Sequence, residues 1–191
     1  MTGSLGNRLY VALVHHPVID KHGETIASAV TNLDLHDIAR ACRTYGVKGY
    51  YVITPLTDQQ GLVKRILDHW IAGPGGPYNP QRRQALELVR IKASYRQTVD
   101  DIARLEGCRP QTVATTARRH PGNLSYRGLK DKLAEATPLV LAFGTAWGLS
   151  EKFIADADYV LDALIGAGVY NHLSVRSAAS IILDRLLGDR S

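Results

Sequence analysis

Three short runs constrain this chain more than anything else in it. Residues 8–14, 49–54 and 139–143 are built almost wholly from apolar, β-branched and aromatic side chains, too few in each to wrap a helix. A strand with no polar face has to be covered on both sides. The segments between the runs repeat their apolar residues at helical spacing instead. Leu35, Ile38, Cys42 and Tyr45 form one such stripe, stopped by Gly46. Strands that alternate with helices predict an α/β fold, a mostly parallel sheet covered by helices on both faces.

The remaining elements follow the same rhythm. Asp34 is placed to cap the first helix, with Asp37 three residues on and both charges favourable at its start. Asp58 is expected to cap a second helix through Trp70, which the stretch Gly73-Pro74-Gly75-Gly76-Pro77 breaks. A third helix is expected over 80–89, another over 99–106, a strand over 111–115 and a helix over 129–136. The pattern continues across the Gly/Pro stretch, so residues 1–191 are read as a single domain with a mobile loop. The long segment 15–31, carrying Pro17 and Gly23, is read as a loop.

Composition narrows the function classes without choosing one. Hydrophobic residues make up 45% of the chain and charged residues 21%, an ordinary globular balance, and the net charge of +5 is compatible with a nucleic-acid partner. No apolar run approaches the roughly 18 residues that span a bilayer, and the first residues lack the apolar core of a signal peptide. A cytoplasmic location and no membrane partner are therefore expected. Cys42 lies on the apolar stripe and reads as a buried thiol; Cys108 stands far from it, and neither pairs with a histidine at metal-ligand spacing, so no metal is expected. There is no Gly-x-Gly-x-x-Gly after the first strand, no P-loop and no serine in a nucleophile elbow.

Two constellations remain. In Thr31-Asn32-Leu33-Asp34-Leu35-His36-Asp37-Ile38-Ala39-Arg40, the side chains of His36, Arg40 and Arg43 share a helical face opposite the apolar stripe. With Asn32 at the helix start, that face could clamp a phosphate or a ribose hydroxyl; spacing alone favours the plainer reading, a solvated face with an Asp37–Arg40 ion pair. The second constellation joins two glycine-rich loops. The strand Leu139-Val140-Leu141-Ala142-Phe143 enters Gly144-Thr145-Ala146-Trp147-Gly148. Further on, Leu164-Ile165-Gly166-Ala167-Gly168 leads through Tyr170-Asn171-His172-Leu173 to a helix opening Ser174-Val175-Arg176-Ser177-Ala178. Such loops at strand ends bring backbone groups forward, where they can read an adenine edge, and small residues at the helix mouth permit close approach. Trp147 could stack on a base or sit in the core, and Arg82-Arg83 and Arg118-Arg119-His120 could meet phosphates or plain solvent.

Taken together, these blocks resemble the SPOUT superfamily of S-adenosylmethionine-dependent RNA methyltransferases. The stretch from Asn32 to Arg40 is similar to its first motif, Phe143-Gly144-Thr145-Ala146-Trp147-Gly148-Leu149 to its second, and the segment from Leu164 to Ala178 to its third. The chain departs from the pattern in a second motif one residue shorter and without its acidic residue, in Ile165 where a proline is usual, and in Ser174 where an asparagine is usual. The blocks look most like a bacterial subfamily whose relatives occur fused to a tRNA guanine-N1 methyltransferase domain. The resemblance implies a C-terminal trefoil knot holding S-adenosylmethionine, with S-adenosylhomocysteine as product, and a homodimer packed through the knot. Phe143, Gly144, Thr145 and Gly148 would form one wall, Leu164, Ile165, Gly166 and Gly168 the other, and Leu173, Val175 and Ser177 the floor. Arg40 would sit near the transferred methyl, aided by Asn32, with His36 as the first choice of base beside His172 and Asp37. The expected substrate is RNA, with tRNA foremost; the alternative is a non-catalytic module that binds the cofactor or RNA and assists a partner enzyme.

Overall fold

The structure, a computed structural model, describes residues 8–120 and 122–189. Strand β1 (Leu9–Val14) is followed by a small hairpin, β2 (Val18–Ile19) and β3 (Thr25–Ile26), inside the segment read as plain loop. Then come α1 (Asn32–Thr44), β4 (Gly49–Ile53), α2 (Thr57–Ile71), the single turn α3 (Gly75–Tyr78), α4 (Pro80–Leu86) and β5 (Val89–Lys92). The second half runs α5 (Tyr95–Glu106), β6 (Gln111–Ala114), α6 (Tyr126–Leu133), β7 (Leu139–Gly144), α7 (Glu151–Ala155), β8 (Tyr159–Val160) and α8 (Val175–Leu187).

Six strands form one sheet in the order β5-β4-β1-β7-β6-β8, and every pair is parallel. Both faces are buried, as the strand composition demands. Leu9, Val11, Leu13, Val52, Leu141 and Phe143 pack on one side with Leu35, Ile38 and Cys42 of α1 and Leu183 of α8. Tyr10, Ala12, Val14, Tyr51, Ile53 and Ala142 pack on the other with Ile102 of α5 and Phe153 of α7. The alternate residues of β1, β4, β6 and β7 divide between the two clusters, the period-two signature of a doubly covered sheet.

Several boundaries differ from expectation for local reasons. Thr31, not Asp34, caps α1: its extended backbone lets Oγ1 accept from the Asp34 N–H (3.1 Å), which makes Asp34 the third helical residue. Helix α2 starts at Thr57 without any side-chain cap, so Asp58 contributes only its charge. Helix α4 ends at Leu86, because Val-Arg-Ile-Lys pairs with β4 as an edge strand (Val52 opposite Ile91). Ser94 and Ser125 cap α5 and α6 several residues before the expected starts. The Gly/Pro stretch is packed rather than loose: a Cβ at Gly75 would lie 2.6 Å from Trp70 Cε3. Among the described residues no helix is long and apolar enough to cross a membrane.

Candidate functional site

The chain steps outward from β1 to β4 and β5, crosses the sheet to β6, and returns to β7 beside β1. Strand order therefore reverses at β1 and β7, where open α/β sheets leave a crevice beyond the strand ends. A cleft of about 820 Å³ lies there, lined by the turn after β7, by Ser28 and Ala29 ahead of α1, by Thr115 to Arg118 after β6, and by the mouth of α8. Its size is within the roughly 300–1,000 Å³ usual for small-molecule sites.

The turn after β7 is fixed by its own backbone. A Cβ on Gly144 would come within 2.4 Å of the Leu149 nitrogen and 2.7 Å of the Gly148 carbonyl carbon, so only hydrogen fits. Ala146 and Gly148 adopt φ of 51° and 111°, and the Gly148 N–H donates to Thr145 O (2.9 Å). The Trp147 N–H donates to Ile19 O (3.1 Å) and the Ile19 N–H to Gly148 O (3.0 Å), which ties the turn to β2. Trp147 itself is 63% exposed, so the core reading of its indole is overturned.

Beneath this turn runs a hydroxyl chain, buried at His15 and Thr145 and half-buried at Ser28. Thr145 Oγ1 donates to Val14 O (3.1 Å), so it accepts from Ser28 Oγ, which in turn accepts from His15 Nδ1 (3.0 Å). Burial lowers the His15 pKa from 6.5 to about 4, against the pull of the Asp34 carboxylate, so the ring is neutral at neutral pH. Asp34, buried at the start of α1, also lines the cleft, and Arg176 Nε lies 3.4 Å from its Oδ1. Arg118 and Glu151 form an exposed pair across the opening (2.8 Å).

The opposite wall comes from the segment between β8 and α8. Leu164, Val169, Asn171, Leu173 and Val175 face the cleft, and Ser174 caps α8 by accepting from the Ser177 N–H (3.2 Å).

Residues 8–188 match a family model described as SAM-dependent RNA methyltransferase. The chain belongs to that family. It is 44% identical over 184 residues to a protein of Oleidesulfovibrio alaskensis named tRNA (guanine-N(1)-)-methyltransferase, a match covering 96% of this chain and 43% of that protein. The chain thus spans less than half the length of that family relative. An uncharacterized protein of Aquifex aeolicus is 36% identical over 183 residues, 95% of this chain and 89% of its own. The crystal structure of an A. aeolicus TrmH/SpoU tRNA modifying enzyme superposes with a TM-score of 0.56 at 17% identity, covering 95% of this chain and 74% of that one. The likeness to SPOUT enzymes holds there at the level of the fold.

Within this family member, the residues singled out from sequence divide. Phe143, Gly144, Thr145, Gly148, Leu164, Leu173 and Val175 all line the cleft. Ile165, Gly166 and Gly168 stand on the exposed part of their loop, and Ser177 is exposed on α8, outside the lining. Asn32 and Arg40 are exposed on α1 and do not reach the cleft either. His36 turns toward α2, its ring edge-on to Trp70 (5.7 Å), where the Arg82 guanidinium stacks over the same indole at 4.3 Å. Burial first, and then Arg82, lower the His36 pKa. Asp37 pairs with Arg176 (3.2 Å) rather than with Arg40. Sequence reasoning missed Asp34 and Ser28 as cleft residues. It also missed Thr115 to Ala117, and took Arg118 only as a phosphate or solvent contact, although a loop leaving the carboxyl end of a parallel strand is itself the signal for them.

Proposed function

We propose that this chain methylates RNA, with tRNA as substrate, and holds S-adenosylmethionine in the cleft beyond β1 and β7. The observation that carries the reading is the Gly144 cradle, a backbone approach too close for any side chain, at the switch point of a chain from this family. The cleft fits such a group: Phe143, Gly144, Thr145 and Gly148 offer a flat backbone wall, Leu164, Leu173 and Val175 an apolar one. Ile165, Gly166, Gly168 and Ser177 enter this reading as supports of the second wall rather than as contacts. When bound, the cofactor supplies an electrophilic methyl on a sulfonium. The chain's own task is then to align an acceptor, and positioning dominates such transfers.

Arg40 and Asn32, exposed and outside the lining of their own cleft, would serve the cleft of a second copy in a homodimer. Val169, Tyr170, Leu173, Ile165 and Trp147, all exposed beside the cleft mouth, supply apolar surface for that packing or, at Trp147, for stacking on a base. A knotted C-terminal segment and a cytoplasmic setting belong to the same proposal. A second reading, a cofactor- or RNA-binding module assisting a partner enzyme, draws on the relatives of more than twice this length and on a cleft lining that does not include His36 or Arg40.

Transfer of tritiated methyl from S-adenosylmethionine into bulk tRNA separates the two. The first reading expects incorporation by the 191-residue chain, falling about 100-fold in Arg40→Ala. Cofactor binding without transfer into any RNA fraction favours the module; full activity in Arg40→Ala removes that arginine from the reaction. Trp147→Ala should weaken RNA binding while thermal unfolding stays unchanged, and unaltered RNA affinity discards the stacking role.

A further inference from the structure

The second motif lacks the acidic residue usual in the superfamily, yet the cleft is not without a carboxylate. Asp34 lines it, with a side chain only 11% exposed. Its nearest cation, Arg176, is shared: Nε lies 3.4 Å from Asp34 Oδ1 while Nη1 lies 3.2 Å from Asp37 Oδ2. Two carboxylates on one guanidinium leave a surplus negative charge at the cleft wall. His15, the titratable group beneath, stays uncharged through burial and does not offset it. The other carboxylate at the cleft, Glu151, is matched one to one by Arg118, with both side chains more than half exposed (65% and 61%), where water screens them.

We infer that Asp34 is the residue that distinguishes the charged cofactor from its spent form. S-adenosylmethionine carries a sulfonium cation; S-adenosylhomocysteine, left after the methyl departs, is a neutral thioether with the same adenosine and amino-acid ends. A shielded carboxylate in the wall lowers the free energy of the first relative to the second, because Coulomb attraction in a low-dielectric cleft acts on the sulfonium alone. Loss of the methyl then weakens binding at the moment the product has to leave. The inference rests on the reading of the cleft as the cofactor site.

Calorimetric titration of the whole chain with each ligand, without RNA, tests it. In Asp34→Asn, which keeps side-chain shape and the backbone cap to Thr31, affinity for S-adenosylmethionine should fall about tenfold, while affinity for S-adenosylhomocysteine moves less than about twofold. A merely structural aspartate would lower both together, and that result, or no change in the ratio, overturns the inference. Arg176→Gln gives an independent arm that does not touch Asp34: releasing the carboxylate should raise the preference for the sulfonium by about threefold. An unchanged or reduced preference counts against the role, even where Asp34→Asn fails to fold. Failure of the unaltered chain to bind either ligand strikes the cofactor reading itself, a result distinct from binding both with an unaffected ratio.

Discussion

The two walls of the cleft are made by different means. The turn of residues 144–149 is held to the sheet peptide by peptide: the Thr145 N–H donates to Val14 O (3.2 Å), the Trp147 N–H to Ile19 O, and the Ser150 N–H to Pro17 O (3.4 Å). Its geometry is settled before any ligand arrives. The loop between β8 and α8 leans on far less of the protein. Gly166 donates to the Asn171 side chain (3.2 Å) and Tyr170 meets His172 edge-on (5.4 Å), while Val169 is fully exposed and Tyr170 is 77% exposed. One wall is preorganised by the fold; the other presents apolar surface that gains most from being covered. Glycines in the two walls therefore do different work, and substitution can tell them apart.

The most severe break should come at Gly144. A methyl group there meets backbone at 2.4 and 2.7 Å, and backbone between β7 and α7 has nowhere to retreat without losing its bonds to β1 and β2. Gly144→Ala is expected to cost more than about 3 kcal/mol in denaturant unfolding. A loss below about 1 kcal/mol would mean the first wall yields as readily as the second.

Acid should loosen the same wall selectively. The folded state holds His15 near pKa 4 against an ordinary 6.5, so as pH falls below 6.5 the unfolded chain takes the proton first. Stability from this group is complete above pH 6.5 and is lost progressively toward pH 4. The loss should reach on the order of 3 kcal/mol, and the slope should flatten in His15→Asn. A pH profile identical in the two proteins would separate His15 from the hold on Thr145.

The sequence carried the sheet and one wall well, and for a physical reason. Strands that are apolar on both faces admit few alternatives, and in Gly144-Thr145-Ala146-Trp147-Gly148 the crowding that demands glycine at 144 comes from Gly148 and Leu149, close by in the chain. What stayed hidden depended on contacts far apart in sequence. Ser28 and Thr145 meet across 117 positions, and Arg176 reaches Asp37 across 139. Asp34 reads as a helix cap until Thr31 is seen to take that place and α8 to bring Arg176 alongside. His36 and Arg40 share a helical face in any α1, but which neighbour that face meets was decided by α2 and α4, through Trp70 and Arg82. The edge strand β5 was missed, with only its first residue, Val89, given to the preceding helix, because four residues of Val-Arg-Ile-Lys carry too little pattern on their own.

The smallest effect, and one opposite in sign, belongs to Gly168. No atom lies within 4 Å of a Cβ built there, and its φ is outside the left-handed region, so alanine meets neither crowding nor strain. Gly168→Ala then acts chiefly on the unfolded chain, which loses backbone freedom, and should raise stability by about 0.5 kcal/mol. Gly144→Ala and Gly168→Ala are the same chemical change at two positions that look alike in the sequence. A destabilised Gly168→Ala would show that the second wall is as tightly built as the first, with its glycine held by contacts that the isolated chain does not make. Concentration dependence locates those contacts: a destabilisation that grows with protein concentration belongs to packing between copies, and a constant one to the loop itself.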